Sequence, residues 1–584
     1  MPVVNVSLDR LKKMLPRGVK AEKALEMLPF VGLDIEGIDG NIVRVEYNPN
    51  RPDFSSDYGI ARALAGLLGV ETGMPRFRVA SSPKGKTAAA SIKVDRAVKK
   101  VRPHIVALVA KGGNLDDETI KQLIAMQEDL HNGIGRRRKK ASIGMHNLDA
   151  IKFPVRYTVA DSSFSFAPLG GPAEKKEEMM TVEQILKETD TGRSYGHLLA
   201  DCKNNYPVII DSAGTVLSLP PIINGEATRV DTGCRNLFVE VTATDAKAAQ
   251  DALAVIAITL YDAGFTIQPV TIDGGSGGKK KTMMVTPDVR PAQMRVDVDY
   301  VNAMLGLALS AKEMVDCLEK CRLDARAAGK NRIITCTIPR YRVDITHPID
   351  LVEEVAIGYG IYNIEPSFPP SPVAGERLVL STYFDAARQA MTGMGMLEAF
   401  NSSLAGREVI YDLAGRKQEE EGNGGREGAL AVDGSKSAEH EVLRDSLLPQ
   451  LLQSLSRNVH EEYPQKLFEI GKTFRRTVEG GGKIDERWSI AAVIAHGEAG
   501  YTEAKSALQA LLSSAFGIAS VTTEPSSDPL FIDGRCASIT TTAASASANG
   551  KIGEVRPQVI ENFKLRVPVA AFELDLSAML TLSP

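Results

Sequence analysis

The run Tyr341-Arg342-Val343-Asp344-Ile345-Thr346-His347-Pro348-Ile349-Asp350-Leu351-Val352-Glu353-Glu354-Val355-Ala356-Ile357-Gly358-Tyr359-Gly360 carries two periods back to back. Tyr341, Val343 and Ile345 alternate with Arg342 and Asp344, which predicts a half-buried strand. His347-Pro348 stops that strand, and proline suits the first position of a helix. Beyond it Asp350, Glu353 and Glu354 recur at i, i+3 and i+4 and share a helix face. Val352, Val355, Ala356 and Tyr359 form its apolar side. With Asp344 close to the helix start, four carboxylates are expected to converge. Such a group repels itself unless a cation sits among its members. Hard oxygen donors, with no Cys or His inside the cluster, suit magnesium better than zinc. An acidic first turn that complements the helix dipole has the same spacing. Spacing alone leaves both readings open.

Outward from this run, the chain has 584 residues, too many for one core and enough for about four domains. The formal charge of −4 carries no global basic signature, so any nucleic-acid contact must use local patches. Six cysteines are scattered, which is no disulfide framework and fits a reducing compartment. Met314, Cys317, Leu318 and Cys321 follow i, i+3, i+4, i+7, so the cysteine pair reads as a buried helix face rather than a ligand pair. No signal peptide is evident, and the longest apolar run, 252–261, is far short of the ~20 residues a bilayer needs. The expectation is a cytoplasmic protein with no membrane partner.

Four stretches follow in chain order. Residues 1–80 form a small α+β module, with a turn at Asn50-Arg51-Pro52-Asp53 and a helix over 57–68. Residues 90–270 alternate strand-like and helical runs, an α+β domain. It contains five consecutive cations, Arg136 to Lys140, after Leu130-His131-Asn132-Gly133. A solvated loop and a contact with RNA phosphates both account for such a run. It also contains Leu217-Ser218-Leu219-Pro220-Pro221-Ile222-Ile223-Asn224-Gly225. There the proline pair makes a stiff, donor-poor segment, which either lines a pocket or simply turns between strands. Residues 283–365 carry the opening run, and 370–584 form the last unit, with an acidic Gly-rich insert at 419–428. Gly85-Lys86-Thr87 and the Lys-rich run 273–282 imitate phosphate loops, but each lacks the required leading glycine.

These stretches together resemble one family. The pattern Tyr-Arg-x-Asp-Ile, then Asp-Leu-x-Glu-Glu-Val-Ala, then Tyr-Gly, is similar to the magnesium-binding segment of the phenylalanyl-tRNA synthetase beta subunit, archaeal/eukaryotic type. The resemblance implies metal ligation by Asp344, Asp350, Glu353 and Glu354, in a structural role where the subunit meets an alpha subunit. Asn-Arg-Pro-Asp at 50–53 resembles the same family. The stretches at 130–144 and 217–226 resemble its editing domain, which hydrolyses tyrosine wrongly attached to the tRNA. That implies a hydrolytic role for Asn224 and substrate-binding roles for Ser218, Glu240, Thr242 and His131. Position 240 departs from the family's aspartate, keeping the charge on a longer arm. Leu467 to Phe474 resembles a signature strand of class II aminoacyl-tRNA synthetases. There Thr477 replaces the expected glutamate, and after Arg556-Pro557 a strand-like end is expected instead of an arginine-bearing helix. The last unit therefore reads as a catalytic-like module without its catalytic residues. The chain stops soon after Leu576, so no appended anticodon-binding domain is expected.

The implied fold class is α+β multidomain: an N-terminal α+β module (1–80), an editing domain (90–270), a magnesium-binding helix–strand domain (283–365) and a class II synthetase-like antiparallel sheet domain (370–584). The implied partners are an alpha subunit, in an α2β2 heterotetramer, and tRNA(Phe). Magnesium is the implied cofactor, and ATP a substrate of the complex, activated on the alpha subunit. A free-standing tRNA-editing hydrolase and a non-enzymatic RNA-binding scaffold are the rivals. A lone editor has no need of the catalytic-like unit, and a scaffold would tolerate loss of Asn224.

Overall fold

A computed structural model describes residues 2–16, 19–80, 90–170, 178–274, 283–368, 374–416, 430–435, 437–476, 484–543 and 546–577. Gly85-Lys86-Thr87, most of the Lys-rich run 273–282, the insert at 419–428 and Thr477 lie outside the described residues. The chain divides into two units, 1–368 and 369–584.

The first unit opens with a three-stranded antiparallel sheet in the order Val3–Ser7, Ile42–Tyr47, Leu33–Asp39. Its alternating Val43 and Val45 pack against Ile60 and Leu64 of the helix Asp57–Leu67. Ser56 starts that helix by accepting a hydrogen bond from the Gly59 amide.

A ten-stranded mixed sheet follows. Its path runs from Ile223–Asn224 through Val216–Leu219, Tyr206–Ile210, Val155–Ala160, Ser91–Val94, Thr266–Asp273, His104–Lys111 and Asn236–Ala243 to Ala141–Asn147. The two ends of this path meet. Ser218 Oγ donates to Glu240 Oε1 at 3.1 Å, and Asn224 Nδ2 reaches Met145 O at 3.4 Å. The sheet thus curls toward closure, as strongly twisted sheets of this size do. The helix Ala246–Asp262 covers one face. It is buried at nearly every position from Ala248 to Leu260, as its almost unbroken apolar sequence requires.

The last part of this unit has a small sheet, with Ile333–Ile338 between Ala292–Asp297 and Asp324–Ala328. Three helices, Val298–Leu305, Ala311–Lys320 and Pro348–Tyr359, pack on it. Met314, Cys317 and Leu318 lie in this core, so the cysteine spacing marks a helix face. The helix Pro348–Tyr359 approaches the Ala311 helix closely at Gly358, where a Cβ would stand 2.1 Å from Cys317 O.

The strand predicted over 341–345 does not form. The segment is irregular, with Arg342 N bonded to Pro339 O at 3.0 Å. Its alternation has another cause. Tyr341 enters the core under the curled sheet, while Ile345 enters the core of the small sheet. The side chains alternate between two cores, not between two faces of one sheet.

The second unit is built on a seven-stranded sheet in the order Leu397–Glu398, Gln465–Arg476, Ile484–Ala495, Val569–Asp575, Ala546–Val555, Phe531–Ala543, Thr522–Pro525. The first pair is parallel and the rest antiparallel. Period two assigns its faces. Ile490, Ala492 and Ile494 meet the helices Val379–Gly393 and Tyr501–Phe516, whereas Ala491, Val493 and Ala495 meet Leu448–Arg457. After Arg556-Pro557 a short helix the sequence reading did not expect, Pro557–Asn562, precedes the expected strand, Val569–Asp575. Pro557 starts it, and Val559 and the following Phe563 anchor it in the core.

Candidate functional site

Where the ends of the curled sheet meet, they enclose a cavity of about 590 Å³. Ser218, Asn224, Glu240 and His131 all line it, beside the apolar Leu123, Ile143 and Leu237. Ser218 and Glu240 are 2% exposed, and their bond joins the two ends of the sheet. The second carboxylate oxygen, Glu240 Oε2, is buried without a partner. In a low-dielectric interior such an acceptor costs free energy unless something donates to it. Asn224 is half-buried at the rim of the Pro-Pro segment, and only its amide nitrogen reaches backbone.

Two expected binding residues are held otherwise. His131 lines the cavity, but both its nitrogens are engaged. Nε2 accepts from the Ile143 amide at 2.8 Å, so Nδ1 carries the proton and donates to Glu128 Oε1 at 3.1 Å. Burial pushes the imidazole below its ordinary value, against the pull of Glu128. Thr242 does not line the cavity. It is fully buried, and its hydroxyl accepts from Arg102 Nε at 3.0 Å and faces Ser142 Oγ at 3.0 Å. Both side chains are bonded within the wall.

The sequence reading missed that support. Arg102 donates to Thr242 O, Ser142 Oγ and Arg138 O, and burial pulls its guanidinium down to about 10. Arg138, read as part of a basic run, turns inward. Its guanidinium donates to Ile222 O at 2.9 Å and to Glu128 Oε1 at 2.8 Å, and lies over the Tyr195 ring. It fixes the Pro-Pro segment that carries Asn224. The signal was the backbone: Arg136, Arg137 and Arg138 all have positive φ, of 48°, 53° and 65°, which no charge pattern announces.

The acidic run forms a second polar centre. Arg342 donates to both oxygens of Glu354, Nη2 to Oε1 at 2.5 Å and Nη1 to Oε2 at 3.1 Å, and to Asp344 Oδ2 at 2.7 Å. Arg51 lies 3.9 Å from the same Asp344 oxygen and holds Asp53 through two bonds of 2.9 Å. Asp350 caps its helix by accepting from the amides of Thr346 and His347, each at 2.7 Å. Glu353 is exposed. Partial burial and then the charges of Glu354, Asp344 and Asp350 push its carboxyl up. The four carboxylates are neighbours, yet among the described residues no three acidic, His or Cys groups form a ready metal cage. The donor set fits a hard cation chemically, since each carboxylate keeps lone pairs beyond those Arg342 uses.

The second unit has a cleft of about 280 Å³ on its sheet, lined by charges of both signs. Most of them pair with each other. Arg416 holds Asp445 by two bonds, Arg487 reaches Asp575 at 3.0 Å, and Lys551 pairs with Asp528. Among the described residues no helix is long and apolar enough to cross a membrane.

Comparison with known proteins accounts for both units. Residues 294–361 match the family model of the tRNA synthetase B5 domain, and 364–576 that of the phenylalanyl tRNA synthetase beta chain CLM domain. The phenylalanine–tRNA ligase beta subunit of Archaeoglobus fulgidus is 40% identical over 99% of this chain and 98% of its own. That of Methanocaldococcus jannaschii is 35% identical over 99% of this chain and its whole length. Among solved structures, an N-terminal fragment of the Pyrococcus horikoshii phenylalanyl-tRNA synthetase beta subunit is 33% identical. It matches with a TM-score of 0.56, over 61% of this chain and 99% of that one. With such identity from end to end, this chain belongs to the phenylalanine–tRNA ligase beta subunit family.

Proposed function

We propose that this chain works with an alpha subunit, as α2β2, in the ATP-dependent charging of tRNA(Phe) with phenylalanine, and that its cavity hydrolyses Tyr-tRNA(Phe). Phenylalanine is activated with ATP on the alpha subunit. The observation that carries the editing role is the cavity, where Asn224, Ser218 and Glu240 converge and one buried carboxylate oxygen lacks a donor. A phenolic hydroxyl supplies that donor and a phenylalanine ring does not. A pocket built around a hydroxyl rejects the analogue without it, because polar groups are then left unpaired. Asn224 is an amide and no general base at neutral pH, so it orients the attacking water or the ester carbonyl. Water adds to that carbonyl, the acyl–oxygen bond breaks, and tyrosine leaves the tRNA 3′ end.

Magnesium, where bound, neutralises the acidic helix start and is held by Asp344, Asp350, Glu353 and Glu354, with Arg342 sharing the charge of two of them. Its role there is structural, at the contact with the alpha subunit.

Deacylation of preformed Tyr-tRNA(Phe) by the complex tests the reading. Asn224→Ala is expected to slow it by about 10²–10³, the size of one lost positioned polar group, while charging with phenylalanine stays near normal. If the variant clears Tyr-tRNA as fast as the parent, the cavity does not edit.

A further inference from the structure

Resting on the editing reading, we propose that His146 and Gly144 are specificity-determining positioning residues that aim the Glu240 carboxylate at the substrate's hydroxyl. Both lie on the edge strand Ala141–Asn147, whose register sets Gly144 directly opposite Glu240 and His146 opposite Phe238. Their side of the strand therefore faces the carboxylate.

Gly144 makes the room. A Cβ at that position would stand 2.4 Å from Glu240 Oε1 and 2.7 Å from His146 Nε2. Any larger residue displaces one or both. The longer arm of glutamate fits here because the strand opposite has no side chain at this point.

His146 closes the pocket behind the carboxylate. It is fully buried, and its Nδ1 lies 2.9 Å from Thr228 Oγ1. The threonine hydroxyl has one proton, which it donates to Gly225 O at 3.4 Å. The ring's other nitrogen, Nε2, faces Glu240. That nitrogen is buried without a hydrogen-bond partner, 3.9 Å from Glu240 Oε1. Oε1 is thus flanked by Ser218 on one side and the His146 ring on the other, and Oε2 is the oxygen left free. Glu240 Oε2 leaves this end of the cavity short of a donor. A side-chain hydroxyl fills that need and a bare ring does not. The same Thr228 bond ties His146 to the turn just after Asn224, so the selecting and hydrolysing groups share one frame.

The experiment uses the complex with its alpha subunit and preformed Tyr-tRNA(Phe) and Phe-tRNA(Phe). Gly144→Ala is expected to lower Tyr-tRNA deacylation by about 10²-fold, the scale of one misplaced polar group. Adding Glu240→Asp, which withdraws the carboxylate by one methylene, should restore at least a tenth of the parent rate. A purely structural role for Gly144 would not be rescued by shortening a different side chain. His146→Gln, in case the alanine variant fails to fold, should reduce the tyrosine-over-phenylalanine preference about tenfold, roughly the worth of one hydrogen bond. An unrescued double variant, or an unchanged preference in His146→Gln, overturns the assignment while editing itself stands. A parent complex that clears neither substrate overturns the editing reading and this inference with it.

Discussion

The cavity of the first unit and the cleft of the second are both lined by charged side chains, but they treat them oppositely. In the cleft, arginine and lysine are matched to aspartates, and Glu573 accepts from Ser446 Oγ and the Leu447 amide. None of its described lining residues has a buried polar atom without a partner. In the cavity, Glu240 keeps an unsatisfied oxygen, with an unsatisfied His146 nitrogen close behind it. A polar pocket that satisfies itself is structure. One that leaves acceptors open stores a cost that only a ligand relieves.

The largest expected effect tests the self-satisfied side. Glu469 and Arg444 are buried together, with Nη1 to Oε1 at 2.6 Å, and Glu469 also takes the Asn401 amide at 2.7 Å. Glu469→Gln strands a buried guanidinium, so the second unit should lose about 3–5 kcal/mol of stability. Thermal and urea melts of the complex measure this, and Tyr-tRNA deacylation should survive below the new midpoint. A melt that does not move would mean the charges there are not structural.

Next in size is the acidic helix start. Among the described residues no cation forms an ion pair with Glu353, so Glu353→Gln removes that charge and leaves the Arg342 pairs with Asp344 and Glu354 intact. Magnesium affinity should fall by about tenfold or more, with weaker assembly in sedimentation. Unchanged metal content and an intact tetramer would remove magnesium from this site.

A smaller effect separates support from selection inside the cavity wall. His131 is held below its ordinary value of ~6.5. A group depressed in the folded state contributes stability above its unfolded value and loses it as pH falls below that. The first unit should therefore melt earlier as pH drops below ~6.5, by about 2–4 °C for each kcal/mol lost. His131→Gln should flatten that slope. A slope that persists assigns the acid sensitivity elsewhere.

The smallest expected effect is none. Phenylalanine-dependent ATP–pyrophosphate exchange by this chain without its partner should stay at background, because the cleft's charges are taken up by each other. Robust exchange would place catalysis on the second unit and erase the contrast.

Element types were largely legible in the sequence. The helix over 57–68, the helix face of Met314, Cys317 and Leu318 and the switch at Pro348 follow from local period and capping chemistry. The failure at 341–345 is instructive, because Tyr341 and Ile345 alternate between two cores that no local pattern distinguishes. Asn224, Ser218 and Glu240 were reached through resemblance, and the structure sets them around one cavity. Arg138, Arg102 and His146 were not reached. An arginine turned inward by three successive positive-φ residues has the same letters as one in solvent. A histidine on an edge strand becomes significant only once the sheet's distant end curls round to meet it.

The polar seam of the first unit has a further consequence, for transplantation. Arg62 of the opening module pairs with Asp262 on the long helix and stacks on Tyr341, Arg51 lies 3.9 Å from Asp344, and Arg340 pairs with Asp251 at 2.5 Å. Each module carries charges whose counterparts are encoded elsewhere in the gene. A chimera cut between the modules would take Tyr341 out of the curled sheet's core and part these cations from their anions. Recombination between divergent homologues is therefore expected to succeed when the three modules travel as one cassette, and to fail when any one is exchanged alone.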